Sequence, residues 1–258
     1  MSSFYGTDVS YIHDRGFSQF AERSRGGLLQ LLSENGVTGG RVVDLGCGGG
    51  ISTAALAALG FQAIGVDQSS PMLKLARRRL PTGTFLRGTL EGCRLPRCEA
   101  ITAVGEVLNY DPTPRRGGRL RAFFARAYGA LGPGGLLIFD IREPLRRREL
   151  PPDGHWQGPD WACLVRQELA PRGRTLTRYV TSFRQLGKLY RRQEEVHVQH
   201  LFTENELVGW LKASGFRVRT RRSYGDYRLR SHHLVVIARK PPRDRPTPVA
   251  ARRFPPHR

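Results

Sequence analysis

The run from Arg41 to Gly50, Arg-Val-Val-Asp-Leu-Gly-Cys-Gly-Gly-Gly, constrains the fold more than any other part of this chain. Val42 and Val43 are β-branched and suit a buried parallel strand, which ends at Asp44. Gly46, Gly48, Gly49 and Gly50 then permit a tight turn whose backbone can approach a ligand closely, and Ile51 opens a helix. That order places a ligand at the carboxyl end of a strand, where open α/β sheets hold adenosyl groups. A second strand, Phe61 to Val66, closes on Gly65-Val66-Asp67-Gln68-Ser69, with Asp67 23 positions after Asp44, about one βαβ repeat. A carboxylate there accepts bonds from both ribose hydroxyls of an adenosine and repels a 2′-phosphate. The competing reading, that Asp67 caps the next helix, is weakened because Ser70-Pro71 supplies a cap residue and a first-turn proline. The Gly-x-Gly-x-x-Gly spacing of a dinucleotide site is not met, since position 51 is Ile51.

Periodicity extends the pattern along the chain. Phe17, Phe20, Leu28 and Leu31 mark an N-terminal helical region, interrupted at Gly26-Gly27. Helices follow at Ile51 to Leu59, around Leu73, Ala76 and Leu80, and from Thr113-Pro114 to Gly132. Strands are expected at Gly83–Arg87, Ala100–Val104, Gly135–Asp140, Phe216–Thr220 and Leu234–Ala238. Thr203 and Glu206 form a capping box for a helix carrying Leu207, Trp210 and Leu211, which stops at Gly215. Between them, Cys163–Leu169, Thr175–Phe183 and Leu189–Phe202 alternate like strands, separated by Pro171-Arg172-Gly173 and Leu186-Gly187, and read as an antiparallel insertion.

Val-Val-Asp-Leu-Gly-Cys-Gly-Gly-Gly, then Gly-Val-Asp-Gln-Ser-Ser-Pro-Met-Leu-Lys-Leu-Ala, then Leu131-Gly-Pro-Gly-Gly-Leu-Leu-Ile-Phe-Asp140 resemble the class I S-adenosylmethionine-dependent methyltransferases. The likeness covers residues 41–140 and continues through Phe202-Thr-Glu-Asn-Glu-Leu and Leu211-Lys-Ala-Ser-Gly-Phe216. It implies a doubly wound, seven-stranded, mostly parallel α/β Rossmann-like sheet with an antiparallel β lid after the fifth strand. Small-molecule enzymes resembling the sugar-amine and glycine N-methyltransferases carry such a lid. The implied domains are an N-terminal helical cap (1–40), a cofactor-binding domain (41–152 and 203–240), the lid (153–202) and a basic, Pro-rich, disordered tail (241–258).

The resemblance assigns S-adenosylmethionine to the glycine turn. Asp44, Gly46, Cys47, Gly48 and Gly50 would line its aminoacid end and ribose, Asp67 would take the ribose hydroxyls, and Gln68 and Met72 would flank the adenine. The family often bonds the exocyclic amine with an acidic residue after the third strand; here Thr89 or the backbone of Leu90 stands in that place. Val104-Gly-Glu-Val-Leu-Asn-Tyr110 occupies the family's methyl-facing position, so Glu106 is expected to serve as a base or to orient a cation. Tyr11 is expected on the methionine portion, and His13 as a base titrating near neutral pH. Alternation puts His197 and His200 on opposite strand faces, so at most one reaches the cleft, and His200 is taken as the further catalytic candidate.

Composition narrows the function classes. Lys+Arg 42 against Asp+Glu 22 gives +20, which suits a nucleic-acid partner, but the excess is almost all arginine and is scattered in short runs. Cys47, Cys93, Cys98 and Cys163 form no Cys-x-x-Cys pair and no metal site, and fit reduced thiols in a cytoplasm. No segment is apolar for long enough to span a bilayer. The expectation is a cytoplasmic enzyme methylating a nitrogen or oxygen of a small metabolite. An RNA- or protein-directed methyltransferase, or a protein that binds S-adenosylmethionine without transfer, stays open.

Overall fold

A computed structural model describes residues 4–110 and 117–242. The chain runs α1 (Thr7–Gly16), α2 (Gln19–Glu34), β1 (Arg41–Leu45), α3 (Ile51–Ala58), β2 (Gln62–Asp67), α4 (Ser70–Arg79), β3 (Thr84–Arg87), β4 (Cys98–Ala103), α5 (Gly118–Ala130) and β5 (Leu131–Arg142). The next four strands are β6 (Gly154–Gly158), β7 (Trp161–Leu169), β8 (Thr175–Leu186) and β9 (Leu189–His200). The chain continues with α6 (Glu204–Ala213), β10 (Arg217–Arg221), β11 (Ser223–Tyr224), β12 (Tyr227–Arg228) and β13 (His233–Arg239). The expected helix start at Thr113-Pro114 and residues 243–258 of the basic tail lie outside the described residues.

The main sheet has the order β3-β2-β1-β4-β5-β13-β10. The strands from β3 to β5 are parallel, and β13 runs antiparallel to both β5 and β10. Strand order therefore reverses between β1 and β4, and a crevice opens outside their carboxyl ends. Alternation sorts the side chains onto the two faces. Val43, Ile101, Leu137, Phe139 and Val236 pack under Phe123 and Phe124 of α5 and Leu207 and Leu211 of α6. Val42, Ala100, Leu136, Ile138 and Val235 pack under Leu28, Leu31 and Leu32 of α2 and Leu56 of α3. Each fully buried aliphatic or phenyl side chain adds about 1.5–3 kcal/mol relative to exposure, so both helical layers are held by the sheet they cover. The architecture is the seven-stranded Rossmann-like one expected from sequence, with the insertion after the fifth strand.

The insertion is a four-stranded antiparallel meander, β6-β7-β8-β9. Its first strand escaped the sequence pattern because Gly-His-Trp-Gln-Gly has no apolar alternation. Trp161, Cys163 and Val180 on its underside pack against Val9 and Ile12 of α1, which anchors the meander over the crevice.

Two local expectations are corrected. The cap of α4 is Ser69 and not Ser70: its Oγ accepts the Met72 amide at 3.2 Å, and Pro71 follows in the first turn. The helix expected to break at Gly26-Gly27 runs through it without interruption. Gly27 is there for proximity, since a Cβ would lie 2.0 Å from the Tyr224 carbonyl carbon and 2.3 Å from its oxygen. The β11–β12 hairpin that presses on it was not anticipated from sequence.

These neighbouring glycines separate the two roles glycine can have. Gly27→Ala should cost about 1–3 kcal/mol, because the backbones of α2 and the hairpin must part. Gly26→Ala, which meets nothing within 4 Å, should add up to about 1 kcal/mol from helix propensity. Urea unfolding midpoints should move in opposite directions; equal shifts would refute the packing role of Gly27.

Candidate active site

The turn after β1 is built on a buried carboxylate. Asp44 is sealed beneath it and accepts the Thr53 hydroxyl on Oδ2 at 2.6 Å and the Thr102 hydroxyl on Oδ1 at 2.9 Å. Burial pushes this carboxyl up to about 6, against the pull of the two hydroxyl bonds. Asp44 thus ties α3 and β4 to the turn while it also lines the crevice. Cys47 binds the Val66 carbonyl through its amide at 3.1 Å, and its thiol packs beside the Leu73–Phe85 cluster. Burial raises its pKa well above the ordinary thiol value.

Gly46, Gly48 and Gly50 all have positive φ, at 60°, 52° and 78°. At Gly48 a Cβ would project into open space, with no atom within 4 Å, so the turn presents bare backbone to the crevice. Asp67 faces the same space: Oδ2 accepts the Gly48 amide at 2.9 Å and Oδ1 the Ser69 amide at 2.8 Å. Each oxygen keeps a further lone pair, so the carboxylate can still accept a pair of hydroxyls. Burial raises its pKa even though backbone amides pull it down. Gln68, Met72, Thr89 and Leu90 continue the wall. Thr89 spends one lone pair on the Gly92 amide at 3.1 Å, and the Leu90 carbonyl takes the Arg126 guanidinium, which leaves each oxygen one further acceptor site. A carboxylate for a diol, side-chain-free backbone and an apolar slot make a donor set that fits an adenosyl group.

The second half of the crevice centres on Glu106, a non-glycine residue held at φ 61°. Asp140 fixes it there. Its oxygens accept the Gly105 and Glu106 amides, each at 2.8 Å, and the buried Tyr224 hydroxyl at 2.9 Å. The Glu106 carboxylate accepts His233 Nε2 at 2.7 Å and Gln199 Nε2 at 2.6 Å, with the Arg178 guanidinium at 3.4 Å. Burial alone would raise its pKa, but Arg178, His233 and Arg142 outweigh that and hold it far below the carboxylate range. His233 also places Nδ1 3.0 Å from the Ser231 carbonyl. Both ring nitrogens therefore face acceptors, the arrangement of an imidazolium, and the Glu106 bond keeps its pKa raised despite burial.

A roof closes over both halves. Glu195 of β9 accepts the Tyr5 amide at 2.8 Å, the Gly6 amide at 2.7 Å and His197 Nε2 at 2.8 Å. The Tyr5 carbonyl in turn accepts the Ser69 hydroxyl at 2.6 Å. The segment before α1 is thus fastened to the meander on one side and to the loop after β2 on the other. Asp8 of α1, fully buried, reinforces this by accepting Arg191 at 2.6 Å and Arg184 at 3.4 Å. The half-open cavity beneath it is about 1570 Å³, larger than the usual single-ligand pocket and roomy enough for a nucleoside cofactor beside a second small molecule.

The three catalytic candidates, Glu106, His13 and His200, line the cavity as expected, whereas Tyr11, expected on the cofactor, does not. Tyr11 turns away from the crevice, donating to Asp160 at 2.8 Å with its ring under Arg184; Tyr5, stacked on His197 at 4.9 Å, faces the cavity instead. His13 lines the cavity, but burial lowers its pKa to about 4, so it is neutral at pH 7 and a poor proton acceptor. Glu106, ion-paired as described, orients cations and is too acidic to act as a base. His200 and His197 both line the cavity, against the expectation that at most one would: the His200 carbonyl accepts Asn109 Nδ2 at 2.7 Å, and the His197 imidazole stacks on Tyr5. Arg142, Arg178 and His233 were missed altogether: they stand far apart in the chain, and only β5–β13 pairing sets Arg142 opposite His233.

Comparison with known proteins agrees with this geometry. Residues 42–135 match the family described as a methyltransferase domain. A trans-aconitate 2-methyltransferase of Rhodopseudomonas palustris is 29% identical over 186 residues, 69% of each chain. An S-adenosylmethionine-dependent methyltransferase from Clostridium acetobutylicum superposes with a TM-score of 0.77 at 18% identity, over 90% of this chain and 97% of that one. The sugar N-methyltransferase KedS8 from a Streptoalloteichus species gives 0.75 at 16% identity, over 93% and 97%.

Glu106→Gln tests the electrostatics. Removing the carboxylate should drop the His233 pKa, measured from the pH dependence of its imidazole NMR signals. The native Glu106 holds fewer protons than it does unfolded, so its stabilisation is present above about 4.5 and fades as pH falls below that. Asp44 and Asp140, raised to about 6, act oppositely and weaken the fold as pH rises from 3.8 towards 6. An unchanged His233 titration in the variant would refute the coupling.

Proposed function

We propose that this chain, an S-adenosylmethionine-dependent methyltransferase of the class I fold, moves a methyl group to a nitrogen or oxygen of a small organic molecule held beneath the β meander. The observation that carries the reading is the roof. Glu195, Ser69 and Asp8 fasten the N-terminal segment across the cavity, which suits an enclosed acceptor better than a polymer strand. The sugar N-methyltransferase and trans-aconitate 2-methyltransferase among its likenesses, both of which act on small molecules by name, support the same choice. Four free cysteines and, among the described residues, no helix long and apolar enough to cross a membrane are in keeping with a cytoplasmic place of work.

S-adenosylmethionine, when bound, supplies an electrophilic methyl group on a sulfonium. Asp67 would accept the ribose hydroxyls, the amides of the Gly46–Gly50 turn would approach the aminoacid end and ribose, and Gln68, Met72 and Leu90 would enclose the adenine. Methyl transfer is an in-line displacement, so positioning contributes much of the rate, with reacting atoms about 3–3.5 Å apart. The N-terminal segment and the meander exclude water. Glu106, fixed by Asp140, holds Arg178, His233 and Gln199 in one array. Burial raises the Tyr5 and Tyr110 hydroxyls above their ordinary value, so both stay protonated and donate hydrogen bonds. With Glu106 too acidic and His13 too weak, the array suits an acceptor whose reacting atom arrives already deprotonated.

Asp67→Ala should weaken S-adenosylmethionine and S-adenosylhomocysteine alike by about 10- to 100-fold, the loss of a charge-assisted bond pair. Calorimetry showing equal affinities would refute the ribose assignment. Labelled methyl should pass from S-adenosylmethionine to a member of a panel of small amines, hydroxy compounds and carboxylic acids. Transfer to RNA at physiological salt, with none to the panel, would overturn the small-molecule reading.

A further inference from the structure

Around Glu106, the described residues bring together more cations than carboxylates. Arg142 is 6% exposed and lines the cavity, yet its guanidinium makes no hydrogen bond among the described residues, and its Nε is buried without a partner. A buried guanidinium left unbonded costs several kcal/mol in general, and such groups are ordinarily paired. Arg178 lines the same cavity and is only loosely engaged, 3.4 Å from both Glu106 Oε2 and the Tyr110 hydroxyl. His233 adds a third cation next to Arg142 across the β5–β13 pairing. Among the described residues, the carboxylate that faces these three is Glu106, whose two oxygens are already taken by His233 and Gln199. Other acidic groups do not fill the gap. Asp140 spends its oxygens on two amides and Tyr224, and Glu149 at the rim lies 3.6 Å from His232 and accepts the Arg146 amide.

Burial in this arrangement makes sense once an anion enters with the ligand. Guanidinium forks match the planar oxygen pairs of carboxylate and phosphate groups, and in a dry cavity each such bond is strengthened. Glu106 then has a definite purpose: it holds His233 and Arg178 at the wall without occupying Arg142. We propose that Arg142 and Arg178 form an oxyanion subsite for the methyl acceptor, which carries a carboxylate or phosphate group. This rests on the small-molecule reading above and narrows its substrate class.

The test is calorimetry at constant ionic strength on the full chain saturated with S-adenosylhomocysteine, so that the cofactor's own carboxylate is already placed. Citrate, succinate, inorganic phosphate and, as a neutral control, glycerol are titrated. Citrate, succinate or phosphate should bind one to one, with glycerol inert, and the better anion distinguishes an acid from a phosphate ester. Arg142→Met and Arg178→Met should weaken that binding at least 10-fold and Arg142→Lys less, while S-adenosylhomocysteine affinity holds. Arg217→Gln with Arg219→Gln, on the exposed side of β10, should change nothing. If Arg142→Met fails to melt as a folded protein, Arg142→Lys and Arg178→Met decide. Absence of saturable anion binding, equal loss in the β10 variant, or folded Arg142 variants that lose S-adenosylhomocysteine instead would overturn the subsite. Failure of wild type to bind S-adenosylhomocysteine would instead strike the methyltransferase reading, and anion binding is then measured without it.

Discussion

The site depends on Asp140, a carboxylate buried at the end of β5 that has no contact with solvent. One side chain stops the loop after β4 by taking two consecutive amides, and anchors the β11–β12 hairpin through Tyr224. These bonds help to hold Glu106 in a left-handed conformation, which costs a non-glycine residue of order 1–3 kcal/mol. The Tyr224 backbone also meets Gly27, so the same carboxylate is linked through one buried tyrosine to the packing of α2. A strand end, a strained loop and a helix are thereby set by a single acceptor group.

Asp44 is its counterpart one strand pair away. Both aspartates sit at carboxyl ends of parallel strands, both are sealed, and both hold a turn by accepting donors from neighbouring elements. The difference is in what each turn offers. Asp44 supports side-chain-free backbone suited to a nucleoside, whereas Asp140 supports a carboxylate that gathers cations. Adjacent crossovers of one sheet thus present opposite surfaces to one cavity.

What could be read from sequence followed distance along the chain. Val42 to Gly50, Asp67 and the Thr203–Glu206 box are local patterns, and each became the strand, turn or cap its residues imply. Gly27 misled because periodicity takes a glycine pair as a break, while its reason is a hairpin nearly two hundred residues later. Tyr11 misled because a helix start fixes neither which aromatic faces inward nor that Asp160 would claim its hydroxyl. The cluster of Glu106, Arg142, Arg178 and His233 was illegible for the same cause: four elements contribute one residue each, and only sheet pairing and the folded meander bring them together.

Glu195 and Ser69 grip the two ends of one peptide unit, the Gly6 amide and the Tyr5 carbonyl. Ser69 belongs to the loop that follows Asp67, and Glu195 to the sheet above the cation cluster. A displacement that opens one side pulls on the other through a rigid planar linkage a few ångströms long. That peptide, beside the Asp8–Arg191 pair, ties the two sides of the cavity together. The nucleoside-facing loop and the cation-lined sheet are thus joined by the shortest rigid element a backbone offers.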